Sequence, residues 1–349
     1  MPFSDTMSFK FYRDITEMEK EAVSSFTKNL LSQHLPIILS ERHFATITGL
    51  KLDFLYSVSN HEKSFYRTFK IQKKSGGSRE INAPLPVLMS LQKWILSEIL
   101  EKRETSVAAT AYKKGLSTKN NARIHRGQKY ILKLDIEGFF DNLNFEKVYS
   151  VFFKMGYTKP VSLMLAKVCL RDGVLPQGAP TSGLLANIIL DDFDQNVLSF
   201  CREQGFRYTR YSDDLTISGP SKRIKKSLSY IKNLLGYNAL RLNESKTRLV
   251  SPGQRKIVTG IVVNQILNAP KEMVLDLRQQ HYYIVKFGLY RHASVQSWKN
   301  VGLELDRLIG KAAYISNIRP KNLYFKKIHR ELLLVRDEVP DLKVRARLK

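Results

Sequence analysis

Residues 207–218 read RYTRYSDDLTIS. Two short runs rich in β-forming residues flank a serine and two acids, so only a tight turn fits between them. The segment predicts a β-hairpin with Asp213 and Asp214 at its tip. Adjacent residues of an extended chain point to opposite faces, so a turn within 212–214 is needed if both acids are to serve one site.

A third carboxylate stands out at Asp135, the end of the apolar strand-like run YILKLDI. Three aspartates at the ends of adjacent strands can hold two divalent cations about 3.5–4 Å apart, which would stabilise the attacking and leaving oxygens of an in-line phosphoryl transfer. Mg²⁺ suits such oxygen donors and needs few protein ligands when a substrate supplies the rest. Asp213 reads as the direct ligand beside Asp135, with Asp214 supporting. The alternative reading of the dipeptide is local, because Asp caps turns through its own side chain.

Bare acids are notable in this chain because it is so basic. Its 349 residues carry 57 Lys+Arg against 32 Asp+Glu, a net charge of +25. The partner is therefore expected to be a polyanion, and nucleic acid leads because clustered cations release phosphate counterions on binding. A membrane surface is the rival, yet no apolar run approaches the roughly 20 residues needed to span a bilayer, and no signal-type apolar stretch opens the sequence. Two cysteines without a CxxC pair, Cys169 and Cys201, argue against a disulfide framework or a thiolate zinc site and fit a reducing cytoplasm. With 43% hydrophobic residues the chain can bury a real core.

Along the chain, the first 60 residues read as short helices. FYRTFKIQ and REINAP read as strands around the glycine turn KKSGGSR, and 86–100 as an amphipathic helix. The strand ending at Asp135 comes next, then helical pattern to about 170, the loop VLPQGAPTSG and one helix, LLANIILDDFDQNVLSF. After the 207–218 hairpin come a helix, KRIKKSLSYIKNLLGY, and two strand-like runs, LRLNESKTRLV and KIVTGIVVN; from about 269 the pattern is helical. Helices mixed with hairpins indicate an α+β fold rather than a doubly wound sheet.

Together these segments resemble a reverse transcriptase. YSDD at 211–214 resembles the family's tyrosine-X-aspartate-aspartate hairpin, and LDIEGFFDN at 134–142 the strand carrying its first catalytic aspartate. LPQGAPTSGLLAN at 175–187, NESKT at 243–247 and GGSREI at 76–81 resemble its nucleotide-supporting loop, its lysine-bearing segment and its fingers loop. The five motifs occur in the family's order over roughly residues 66–264. NARIH at 121–125 and VTG at 258–260 match two motifs of the bacterial retron type.

The resemblance implies a right-hand polymerase, with N-terminal helices and fingers over 1–125, a palm with an antiparallel sheet over 126–250 and a basic helical thumb over 251–349. It implies catalysis by Asp135, Asp213 and Asp214, with two Mg²⁺ ions at Asp135, Ile136, Asp213 and Asp214. It implies nucleotide binding by Lys74, Arg79, Phe140, Gln177, Gly178 and Lys246. Phe140 stands where the family carries its steric gate against a ribose 2′-hydroxyl, while Phe139 reads as core. Gln177 and Gly178 would meet the nucleotide sugar and permit close backbone approach. Arg79 and Lys74 would grip phosphate, and Lys246 would protonate or neutralise the leaving pyrophosphate.

Asn121, His125, Val258, Thr259 and Gly260 are implied RNA-binding positions, though a satisfied structural histidine and a plain strand end fit equally. Aromatics beside cations at 278–292 and 321–330 would pack the thumb and face a duplex.

The implied activity is RNA-directed DNA synthesis from dNTPs. For the retron type, the template is a dedicated structured non-coding RNA primed from a 2′-hydroxyl, the product a short DNA joined to RNA, and an effector protein acts with it in antiphage defence. Rival readings are a group II intron or diversity-generating reverse transcriptase, and a catalytically silent RNA-binding protein on the same fold. Intact acids argue against the last.

Overall fold

The computed structural model describes residues 17–72 and 76–338. Lys74 lies outside the described residues. Helical spacing in the first segment gives α1 (Glu17–Ser32), α2 (Glu41–Thr48) and α3 (Leu52–Asn60). The Ser40 side chain caps α2 by accepting from the His43 N–H, and Gly49 ends it at a left-handed φ of 68°.

The expected first hairpin forms as β1 (Tyr66–Gln72) and β2 (Ser78–Pro84), in register from Tyr66↔Pro84 to Gln72↔Ser78. A lone two-stranded ribbon is marginal in water. This one is fastened at its base, where the Asn82 N–H donates to the Gln177 carbonyl at 2.7 Å. α4 (Pro86–Glu98) follows, with proline in its first turn and Leu88, Leu91 and Ile95 buried. α5 (Thr118–Ile124) begins at a capping box formed by Ser117 and Asn120.

The centre is an antiparallel four-stranded sheet in the order β4 (Arg207–Tyr211), β5 (Asp214–Gly219), β3 (Tyr130–Asp135), β6 (Arg248–Val250). β3 is nearly apolar because it is covered on both faces. Leu132 and Leu134 enter the main core with Leu215 and Ile217, while Ile131 joins a second core with C-terminal residues. α6 (Phe145–Lys154), α7 (Lys159–Cys169), α8 (Ser182–Ile189), α9 (Asp191–Glu203) and α10 (Ser227–Tyr237) contribute to the main core. The second core binds α11 (Lys271–Phe287), α12 (Leu289–Val295), α13 (Val301–Ile318) and α14 (Leu323–Asp337) to a small ribbon, β7 (Ile257–Val258) and β8 (Ile261–Val262).

The mixture of helices and antiparallel sheet matches the α+β expectation, and three local expectations change. The single helix over 184–200 is two, breaking at Leu190. Asp191, Asp192 and Asp194 cluster in the first turn of α9, where acids favour a new helix start. KIVTGIVVN is not one strand, because Thr259 at φ 45° and Gly260 at φ 81° turn it back on itself. LRLNESKTRLV is strand only at β6, while Leu242 makes an isolated bridge to Ile136 and Glu244–Lys246 form a 3₁₀ turn.

Leu305 is fully buried in the second core. Leu305→Ala is expected to cost about 2–5 kcal/mol. Hydrogen exchange should show the loss in α11, α13 and α14 first, with β3–β5 protection retained; equal loss throughout would mean the two cores unfold as one.

Candidate active site

The turn that sequence alone requires within 212–214 falls at Ser212 and Asp213, and Tyr211 pairs with Asp214 across it. Ser212 takes a φ of 61° at the first central position of this two-residue loop, a place where glycine is usual. Asp135 pairs directly with Asp214 across β3–β5, and the Ile136 N–H donates to the Asp213 carbonyl at 3.0 Å. These bonds bring Asp135 and Asp213 to one cavity of about 660 Å³. Asp214 does not line it.

Burial, and then the neighbouring Asp135 charge, raise the Asp213 carboxyl above the ordinary range. Burial and Asp213 do the same to Asp214. Two carboxylates at one cavity call for a cation, and the chain supplies one. The Lys246 ammonium lies 2.9 Å from both oxygens of Asp135, and that contact raises its own pKa. Hard oxygen donors around a site that attracts an ammonium fit a divalent ion such as Mg²⁺. Among the described residues no group of three or more His, Cys, Asp and Glu forms a cage, so the remaining ligands would come from main chain, substrate and water.

The same cavity is lined by Arg79, Phe140, Gln177 and Ile136. Phe140 is half-buried, edge-on to Phe139 and Tyr112, and Phe139 is buried in the core. Gly178 departs from its expected setting. Its φ is 123°, and an added Cβ would lie 3.0 Å from the Asn82 carbonyl oxygen. The backbone that approaches this glycine is therefore that of β2, and the loop anchors the first hairpin.

Several cavity residues escaped the sequence reading, Arg171, Asn243 and Tyr112 among them. Arg171 sits in the same loop as Gln177, hydrogen bonds Asn82 and lies 3.6 Å from Glu80. A cation six residues before a proline-bracketed glutamine was a usable signal. Asn243, beside Lys246, was similarly accessible. Tyr112 was not, since it reaches Ser212 from 100 residues away, Oη to Oγ at 3.0 Å.

Residues 71–304 match the family model for reverse transcriptase (RNA-dependent DNA polymerase). The chain is 32% identical to the retron Ec86 reverse transcriptase of Escherichia coli over 306 residues, covering 84% of this chain and 94% of that protein. It is 29% identical to the retron Mx65 reverse transcriptase of Myxococcus xanthus, covering 82% of this chain and 70% of that one. Among solved structures, Candida albicans telomerase with a fragment of telomeric RNA has a TM-score of 0.46 at 12% identity, covering 79% of this chain and 64% of that chain.

The chain belongs to the retron reverse transcriptases. It is an RNA-directed DNA polymerase with a right-hand polymerase fold, and RNA is its template. Its family depends on divalent metal for catalysis. Among the described residues, no helix of this reverse transcriptase is long and apolar enough to cross a membrane.

The two retron-type motifs meet inside the enzyme rather than on its surface. His125 is fully buried, and its ring nitrogens pair with Ser218 Oγ at 2.7 Å and Thr209 Oγ1 at 2.8 Å. Asn121 is also buried, accepting from Thr110 at 3.0 Å and donating to Thr259 at 3.4 Å. Val258 is core, and Thr259 Oγ1 donates to the Thr118 carbonyl at 3.0 Å. The buried Asn121, His125 and Val258 side chains thus join α5, the central sheet and the β7–β8 ribbon, the first two through hydrogen bonds and Val258 through the second core. Of the five positions, Gly260 alone is exposed. Exposed Tyr282, Phe287 and Tyr290 do stand beside Lys286 and Arg291 on α11 and α12.

Burial pushes the His125 pKa down from 6.5 to about 3. The unfolded chain gains a proton below about pH 6.5 that the native state refuses until about pH 3, so stability falls with pH across that window. Between pH 7.5 and 5.5 the wild type should lose about 1.4 kcal/mol more than His125→Gln in denaturant titrations. Equal pH slopes would show a solvent-reached histidine and reopen the RNA-contact reading.

Proposed function

We propose that Asp135 and Asp213, with the Ile136 main-chain carbonyl, hold two Mg²⁺ ions in this cavity, with Asp214 beside them. The observation that carries the reading is the convergence of the two carboxylates on a cavity that Lys246 already enters as a cation. When bound, the ions would lower the pKa of the attacking 3′-hydroxyl and offset the charge of the departing pyrophosphate.

The chain's own residues supply the rest. Arg79 reaches the cavity from the first hairpin and would fork onto the dNTP triphosphate, with Lys74 joining it from the other side of the Gly76-Gly77 pair in sequence. The Phe140 ring would fill the space a 2′-hydroxyl needs. Gln177 would touch the nucleotide sugar, while Gly178 keeps its loop against β2. Lys246 would leave Asp135 for the pyrophosphate as metal and nucleotide enter, donating a proton or charge there. Fingers would span 1–125, palm 126–250 and thumb 251–349. The exposed aromatics and cations of α11 and α12 would lie along the duplex.

The substrate RNA is a dedicated structured non-coding RNA, primed from an internal 2′-hydroxyl, and the product is a short DNA joined to it, multicopy single-stranded DNA. Gly260 and the Thr259 backbone would approach that RNA. The setting is the bacterial cytoplasm, and the product would act with an effector protein in antiphage defence. Similarity to retron reverse transcriptases over most of the chain supports this reading.

Asp213→Asn combined with Asp135→Asn should abolish dNTP incorporation while RNA binding persists in a filter or mobility assay; continued synthesis would remove the metal assignment. Phe140→Ala should admit ribonucleotides, and unchanged sugar selectivity would place the gate elsewhere. Protein from its native host should carry a nucleic acid with RNase-sensitive and DNase-sensitive parts joined. Protein free of nucleic acid would count against the retron product.

A further inference from the structure

Among the described residues Arg210 is the largest side chain shut fully from solvent, and its partner Asp194 is shut away with it. Its Nε donates to Asp194 Oδ1 at 3.0 Å and Oδ2 at 3.1 Å, and Nη2 to Oδ2 at 2.6 Å. The Tyr208 hydroxyl donates to Oδ1 at 2.7 Å. A buried ion pair is weak evidence for stability, since apolar residues of similar volume usually serve as well. What an apolar substitute cannot reproduce is the remaining contact: Nη1 donates to the Ser212 carbonyl at 3.1 Å. A lysine could neutralise Asp194, but only a guanidinium fork can hold Asp194 along one edge and the turn with the other.

The held atom lies at a strained place. Ser212 is a non-glycine residue at φ 61°, and such backbone persists only where its surroundings over-determine it. Arg210 is itself anchored, its N–H donating to the Ala108 carbonyl at 2.8 Å and its carbonyl accepting from the Thr110 N–H at 2.9 Å. On the far side of Asp213, the Asp213 carbonyl accepts from Ile136 N–H. The peptide planes before and after the Asp213 Cα are therefore both pinned.

We infer that Arg210, braced by Asp194 and Tyr208, is a positioning residue: it fixes the Ser212–Asp213 peptide so that the Asp213 carboxylate stays aimed at Asp135. The inference builds on the proposed metal role of Asp213, and its test separates the two.

Tyr208→Phe, Asp194→Leu and Arg210→Met combined replace the network with apolar groups and leave no charge stranded. The variant should melt cooperatively within about 5 °C of the wild type. In the RNA-free and metal-free protein, amide exchange at 212–214 and at Ile136 should quicken by about tenfold or more while β3–β6 core amides hold. Single-turnover dNTP incorporation should fall roughly 10- to 100-fold, with KM for dNTP changed less than about twofold. Wild-type exchange at the turn with a wild-type rate overturns the inference, as does faster exchange spread evenly over the sheet.

Should the triple variant fail to fold, Arg210→Lys keeps the buried charge. It should give the same local exchange signature and rate loss, and wild-type behaviour there overturns the inference too. Asp213→Asn serves as the control. If that variant still synthesises DNA, the metal reading falls, whereas the exchange result at the turn judges Arg210 independently.

Discussion

The arrangement depends on two carboxylates kept closer than they would choose to be. Asp135 ends β3 and Asp213 sits in the β4–β5 turn, and the β3–β5 register with the Ile136–Asp213 main-chain bond brings both to one cavity. Burial of Asp213, and then the neighbouring Asp135 charge, makes the cavity a place where a cation is favourable. Lys246 answers that demand in the free protein. The net charge of +25 then acts at a different range, drawing a polyanion to the surface while the acids keep one negative spot within it.

Holding such a pair needs a rigid frame, and the frame explains several residues with no chemistry of their own. β3 is covered on both faces, so Asp135 projects from a strand that cannot shift. His125 bonds to β4 through Thr209 and to β5 through Ser218, and Asn121 links the 110 segment to the β7–β8 turn. Those two retron-type motifs are separated by more than a hundred residues in sequence and meet at one bond.

Much of this was legible in the chain. The hairpin at 207–218, the ribbon at 66–84 and the C-terminal helices follow from β-rich runs, glycine turns and helical periodicity, which are local properties. The departures share one cause, competition between neighbouring signals. Three acids in four residues restart a helix at Asp191, where apolar periodicity alone predicts continuity. Thr259 accepts a positive φ beside Gly260, so a run rich in β-branched residues folds back. Neither outcome is written in hydrophobic pattern, because helix-dipole and turn preferences of about 1 kcal/mol decide them.

The cavity divides along the same line. Asp135, Phe140 and Gln177 stand at recognisable spacings within single segments. Tyr112 and Arg210 do not announce themselves, since each acts on Ser212 through folded contacts. Gly178 shows the intermediate case: its need for glycine was readable, but the close neighbour is β2. That neighbour ties the first hairpin to the loop bearing Gln177, so an insertion or bulky substitution at either would be felt at both. The cavity is therefore one mechanical unit with the hairpin, and Arg79 enters it from a strand whose base is already fixed to the loop bearing Gln177.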